Sequence, residues 1–152
     1  MKLLDMRETI TLQLWERLEE KLPAVQSDAI SFQLETWELS PGHNTIELQT
    51  VMAIGQGKLF FSELEVVAKQ NGFHSITLEA FPYSDGKGNT QERILSLIRW
   101  YESIGFDWVE GSEEELADHF EELFEDEEDL SDDEKVVGIH VMKGILGMIK
   151  EF

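Results

Sequence analysis

The sequence predicts an α/β chain built on a mixed sheet, and three observations carry that expectation. Apolar residues recur at helical spacing in four stretches and alternate at strand spacing in others. Turn-forming glycine, proline and asparagine separate these stretches. One stretch runs strand, glycine turn, helix, strand, a unit expected to cross right-handed. With 152 residues the chain suits one domain, residues 1–152, around one core.

The elements follow in order. Asp5 and Glu8 have capping-box spacing, so a helix is expected after Asp5, with residues 1–4 as a short strand before it. Met6, Ile10, Leu14, Leu18 and Leu22 fall on one face of that helix, and Pro23 should stop it. Residues 29–39, "AISFQLETWEL", alternate as a strand. Ile30, Phe32 and Leu34 share a face before Trp37 and Leu39 take the other, which predicts a bulge or twist near Thr36. "SPGHN" is turn chemistry, and "TIELQTV", 45–51, alternates again, so the two strands should form an antiparallel hairpin with a slightly long loop.

"GQG", 55–57, then opens a helix whose buried stripe is Phe60, Phe61, Leu64, Val67 and Ala68, with Gly72 just past its end. "FHSITLEAF", 73–81, reads as a strand with Ile76, Leu78 and Ala80 inward. Asn89 and Glu92 can cap the next helix, which carries Ile94, Leu97, Ile98, Tyr101 and Ile104 as its stripe. "FDWVEG" is a short strand. Ser112 and Glu115 make another capping box, before Leu116, Phe120, Leu123 and Phe124. "EDEEDLSDDE" reads as a solvated loop, and "VVGIHVMKGIL", 136–146, as the last strand.

Composition excludes several classes. With no cysteine, disulfides and thiolate metal sites are out. His43, His74, His119 and His140 are scattered without zinc-ligand spacing, so no metal is expected. No apolar run approaches a membrane span, and "MKLLDMRETI" lacks the apolar core of a signal peptide, so the expectation is a cytoplasmic protein off the membrane. The net charge of −20 is uneven. Residues 113–134 hold 14 acids and no base, while the rest of the chain holds 18 acids against 12 bases. Direct nucleic-acid binding is disfavoured, because phosphates would be repelled. The acidic segment, about 112–134, reads as an amphipathic helix plus loop, or as a docking site for a basic protein.

The glycine turn is the first candidate for chemistry. A strand running through "IGQGK" into a helix presents backbone N–H groups at a helix N-terminus, which suits a phosphate, although GxG is also a common plain turn. "RWYESIGF", 99–106, is the second. Tyr101 is either a packed tyrosine before an ordinary glycine cap or a hydroxyl held for use.

Together these pieces resemble the GNAT superfamily, the acyl-CoA-dependent N-acyltransferases. "MAIGQG", 52–57, is similar to the family's Arg/Gln-x-x-Gly-x-Gly/Ala turn, matching at Gly55 and Gly57 but with Met52 at the first position. "LFFSELEVVAKQNGFHSITLEA" has the family's helix–glycine–strand pattern, "YESIGF" looks like its Tyr-x-x-x-Gly-Phe, and "IHVMKGIL" is similar to its last strand. The resemblance covers about residues 45–111 and 136–146. Two departures stand out: only about 50 residues precede the turn, and the acidic segment intrudes before the last strand.

The resemblance implies a three-layer fold with a mostly antiparallel sheet flanked by helices, and acetyl-CoA as co-substrate. It implies that Ile54, Gly55, Gln56, Gly57, Lys58 and Leu59 cradle the CoA pyrophosphate. Leu48, Gln49 and Thr50 would pair with the pantetheine arm and polarise the thioester. Tyr101 would protonate the leaving thiolate, with Glu47, Glu79 or a water as base for the attacking amine of a small molecule or protein. The alternative is a non-catalytic protein of this fold, an acidic interaction or inhibitor module that binds a basic partner through 113–134. Oligomeric state is open at this stage.

Overall fold

In the computed structural model, residues 3–53, 55–80, 90–109, 111–123 and 146–152 are described. The elements are α1 (Leu3–Lys21), α2 (Ala24–Ser27), β1 (Ile30–Ser40), β2 (His43–Ala53), α3 (Gly57–Gln70), β3 (Ser75–Glu79), α4 (Thr90–Ser103), β4 (Asp107–Trp108), α5 (Glu113–Leu123) and β5 (Gly147–Glu151). The fold is mixed α/β, with strands hydrogen-bonded in the order β1-β2-β3-β5-β4. The sheet is mixed: β1 and β2 are antiparallel, β2 and β3 parallel, β4 and β5 antiparallel. The chain divides into two compact units, residues 1–78 with 150–152, and residues 79–149.

In the first unit the apolar stripe of α1 does what its spacing requires. Ile10, Leu14 and Leu18 are fully buried, each worth about 1.5–3 kcal/mol in removed apolar surface. An aromatic seam joins α1, β1 and α3: Trp15 stacks on Phe32 at 5.0 Å, and Phe32 meets Phe60 at 5.3 Å. One carboxylate sits inside this packing. Glu63 is 2% exposed and is closed over by Arg17 and Lys21 of α1. Burial alone would push its carboxyl up, but the hydrogen bonds from Lys21 and Arg17 outweigh that and hold it below the ordinary value.

Several sequence expectations are corrected here. α1 already runs at Leu3, so residues 3 and 4 are helical rather than a strand, and Asp5 lies within the helix rather than before it. Strong helix formers on both sides of Asp5 let the helix start early. Pro23 does end α1, but it also opens the short α2, where its missing N–H costs nothing. The hairpin loop is tight, not long: Pro41 and Gly42 alone lie between the paired Ser40 and His43. Gly42 has φ +81° after a proline, the pairing a type II turn needs. On β1, Thr36 stays in the buried set with Ile30 and Leu34, while Trp37 and Leu39 are exposed. The register shifts lie between Gln33/Leu34 and between Glu38/Ser40, not at Thr36.

In the second unit α4 buries Ile94, Ile98 and Tyr101, and Phe106 follows at 1% exposure. Ser112 accepts the Glu115 N–H at 3.2 Å, so the expected cap of α5 is present, and Leu116 is fully buried. β4 pairs with β5 through Asp107–Ile149 and Trp108–Met148. The closing strand is therefore 147–151. The expected strand at 136–146, apart from Leu146, and the acidic loop lie outside the described residues, as do Asn89, Phe124 and the side chains of Phe120 and Leu123.

Candidate functional site

The site in the first unit begins with the parallel pair β2–β3. It is pinned at one end by a polar knot. The Thr45 hydroxyl donates to the Ser75 carbonyl at 3.0 Å, and the Ser75 hydroxyl donates to Thr45 Oγ1 at 2.8 Å. The one proton of Ser75 is thereby committed, so the His43 Nε2–H must be the donor in its 3.1 Å bond to Ser75 Oγ. Ser75 is accordingly a locked structural hydroxyl, not a nucleophile awaiting a base.

The other end is the end of the ladder among the described residues. The ladder runs from Thr45–Ser75 to Leu48–Leu78 and stops. At that point β2 changes register against β1: Leu34 faces Leu48 but Gln33 faces Thr50, so Gln49 is an extra residue. This is a β-bulge, which bends and twists its strand. Leu48 is buried, whereas Gln49 and Thr50 are exposed. The five residues from Gln49 to Ala53 continue past the β3 register.

β2 then feeds the glycine turn. The Gln56 N–H bonds the Ala53 carbonyl at 2.9 Å, and Gly55 takes φ +75°, a value costly for any residue with a side chain. α3 starts at Gly57 with Gln56 at the cap position, and among the described residues no side-chain cap bond is made there. The N–H groups of Gly57, Lys58 and Leu59 are the orphan donors of a first helical turn. That turn holds no acid. It holds Lys58 instead, exposed, where the helix dipole disfavours a cation. An anion at the terminus would relieve both the orphan donors and the lysine.

The other expected residues are placed as follows. Glu47 is half-buried in mid-β2, opposite Glu35 on β1 and Thr77 on β3. Glu79 is exposed at the end of β3. Met52 is half-buried and faces Ser31. Ile54 lies outside the described residues. Tyr101 belongs to the second unit. There it is 6% exposed, packed edge-on against Trp100 at 5.4 Å and Phe106 at 5.6 Å. Burial pushes its phenol up to about 12. The Phe106 N–H bonds the Tyr101 carbonyl and the Gly105 N–H bonds that of Glu102, both at 3.1 Å, with Gly105 at φ +105°. These bonds make a Schellman cap, so Tyr-x-x-x-Gly-Phe is here a way of ending a helix.

Leu48, Gln49 and Thr50 thus lie in β2, and Gly55 to Leu59 form the turn and first helical turn that come after it in the chain. Sequence reasoning missed the bulge at Gln49, although a signal was present. The apolar positions of β2 are Ile46 and Leu48, then Val51 and Ala53, and that change of phase marks one inserted residue.

Among the described residues, no group of three or more His, Asp and Glu could hold a metal ion, and no helix is long and apolar enough to cross a membrane. Compared with family models, curated proteins and solved structures, the chain matches none.

Proposed function

We propose that this chain binds an acyl-CoA and transfers its acyl group to an amine, as the resemblance to the GNAT superfamily implies. The observation that carries the reading is a single run of backbone: β2 leaves its parallel partner at the Gln49 bulge and passes through Gly55 into an uncapped helix. A strand that extends past its neighbour's register offers backbone groups to an extended chain bearing amides, and the pantetheine arm is such a chain. The uncapped terminus suits a pyrophosphate. The order β1-β2-β3-β5-β4, with its parallel pair joined through α3, also supports the expected connectivity.

On this reading the amine nitrogen attacks the thioester carbonyl, and a backbone N–H near Gln49 or Thr50 stabilises the charge that builds on its oxygen. The C–S bond breaks and the thiolate takes up a proton. The resemblance assigns that proton to Tyr101. Glu47, Glu79 or a water removes the proton lost by the amine.

Melting the protein with and without millimolar acetyl-CoA tests the reading. A ligand at about 100 times its Kd stabilises by about 2.7 kcal/mol, several degrees for a chain of this size. An unchanged melting curve, with no thiol released on a panel of amines, overturns it.

One observation favours a second reading, a non-catalytic module that binds a basic partner. The net charge is −20, and α5 exposes Glu114, Glu115, Asp118 and Glu121 along a helix with no base. Under that reading acetyl-CoA leaves the melting curve unchanged and a basic protein raises it.

A further inference from the structure

We infer that Asn71–Gly72 is a site of spontaneous covalent modification, where the asparagine side chain cyclises onto the main chain and opens to aspartate or isoaspartate, and that hydrogen bonds of the fold hold this reaction in check. The chain has three asparagines, and Asn71 alone is followed by glycine; Asn44 and Asn89 precede threonine. The nucleophile in such a cyclisation is the backbone nitrogen of the next residue. Glycine leaves that nitrogen uncrowded and lets the chain turn toward the side chain, whereas a β-branched threonine hinders both.

The step balances with water as the only co-reactant. The Gly72 nitrogen gives up its proton and bonds to Asn71 Cγ. The Cγ–Nδ2 bond breaks, and Nδ2 leaves as ammonia with that proton. Water then opens the cyclic imide at either carbonyl. One opening leaves aspartate; the other leaves isoaspartate, in which the main chain runs through the side-chain carbons.

The fold ties up both reacting groups. Asn71 caps the C-terminal end of α3, half-buried, with φ −102° and ψ 11°. Its Nδ2 donates to Gln13 Oε1 on α1 at 2.7 Å and to the Val67 carbonyl at 2.8 Å, so both amide protons are engaged. The Val67 carbonyl can only accept, which fixes the way the amide faces. The Gly72 N–H donates to the Lys69 carbonyl at 3.2 Å. Attack requires these bonds to be released, so it proceeds from an opened end of the helix. Gly72 is exposed, so water reaches the imide.

The product cannot rebuild what was lost. A carboxylate has no proton for the Val67 carbonyl, and it sets a negative charge where the dipole of α3 disfavours one. Isoaspartate also lengthens the main chain just before Phe73, which is 4% exposed and whose N–H returns to the Ala68 carbonyl. Conversion therefore loosens the end of α3 from α1. This inference is independent of the acyl-CoA reading, because it uses the opposite end of α3.

The test holds the full chain at mildly alkaline pH, folded and in urea, and follows aspartate and isoaspartate at each asparagine by peptide mapping. In urea Asn71 should convert at least about ten-fold faster than Asn44 or Asn89, since only glycine leaves the nucleophile uncrowded. Folding should slow conversion at Asn71 by at least about ten-fold, because only the opened helix end reacts. Gln13→Ala should speed conversion of the folded chain at Asn71 by at least about three-fold, with no change in urea and no matching rise at Asn44. Asn71→Asp, which carries the product side chain, should melt below the unmodified protein. The inference is overturned if Asn71 converts no faster than the other two asparagines in urea, or if folding leaves its rate unchanged. It is also overturned if Gln13→Ala has no effect or raises the rates at Asn71 and Asn44 alike, which would mean general loosening, or if Asn71→Asp melts with the unmodified protein.

Discussion

Two helices of this protein end in the same glycine–phenylalanine cap, and the residue to which each phenylalanine returns is informative. α3 closes with Gly72 at φ +80° and Phe73, whose N–H returns to the Ala68 carbonyl at 2.9 Å. α4 closes with Gly105 at φ +105° and Phe106, whose N–H returns to the Tyr101 carbonyl at 3.1 Å. In both, the glycine supplies the left-handed turn and the phenylalanine returns to pack on the helix. The residue under that phenylalanine is an alanine in α3 and a tyrosine in α4. The alanine shows that the cap makes no demand for an aromatic ring there, still less for a hydroxyl. The phenol of Tyr101 is thus surplus to ending the helix, and that surplus is what the proposed chemistry uses.

The comparison can be broken at its strongest point first. Phe73→Ala and Phe106→Ala each remove a buried ring and should cost about 3–5 kcal/mol in urea unfolding. Losses that differ by more than about 2 kcal/mol would mean the two caps are not equivalent parts. Tyr101→Phe should then separate packing from chemistry. It keeps the ring against Trp100 and Phe106, so stability should fall by no more than about 1.5 kcal/mol. Turnover should drop about a hundred-fold if the phenol is the acid, and full turnover would return Tyr101 to a packing role. The smallest effect belongs to the glycines. Gly72→Ala and Gly105→Ala force a side chain into a left-handed conformation and should each cost about 1–2 kcal/mol. Gly72 has open space where a Cβ would go, so its cost is backbone strain alone.

Much of this architecture was legible locally. The stripe Ile10–Leu14–Leu18, the hairpin signalled by Pro41-Gly42 and the glycine ends of α3 and α4 all depend on residues close in sequence. What was not legible depends on distant partners. "GMIKE" has little strand character of its own, and β5 is a strand through distant partners: it lies between β3 and β4 in the strand order, with Ile149 and Met148 paired to Asp107 and Trp108. The same holds at the candidate site. The glycine turn announced itself, whereas the place where β2 leaves β3 is set by where Ser75–Leu78 stops pairing, some 30 residues away. The inserted Gln49 is an intermediate case, readable from the spacing of Leu48 and Val51 once both strands of the hairpin are aligned.

That insertion is local in its effect. Leu34 faces Leu48 and Gln33 faces Thr50, so without Gln49 this part of the hairpin would run in regular antiparallel register, leaving only the shift between Glu38 and Ser40. Val51 would still face Phe32, Ala53 would still face Ile30, and every inward residue would keep its side of the sheet. What the extra residue changes is the backbone itself, which bends away from the regular ladder where β2 passes beyond the β3 register.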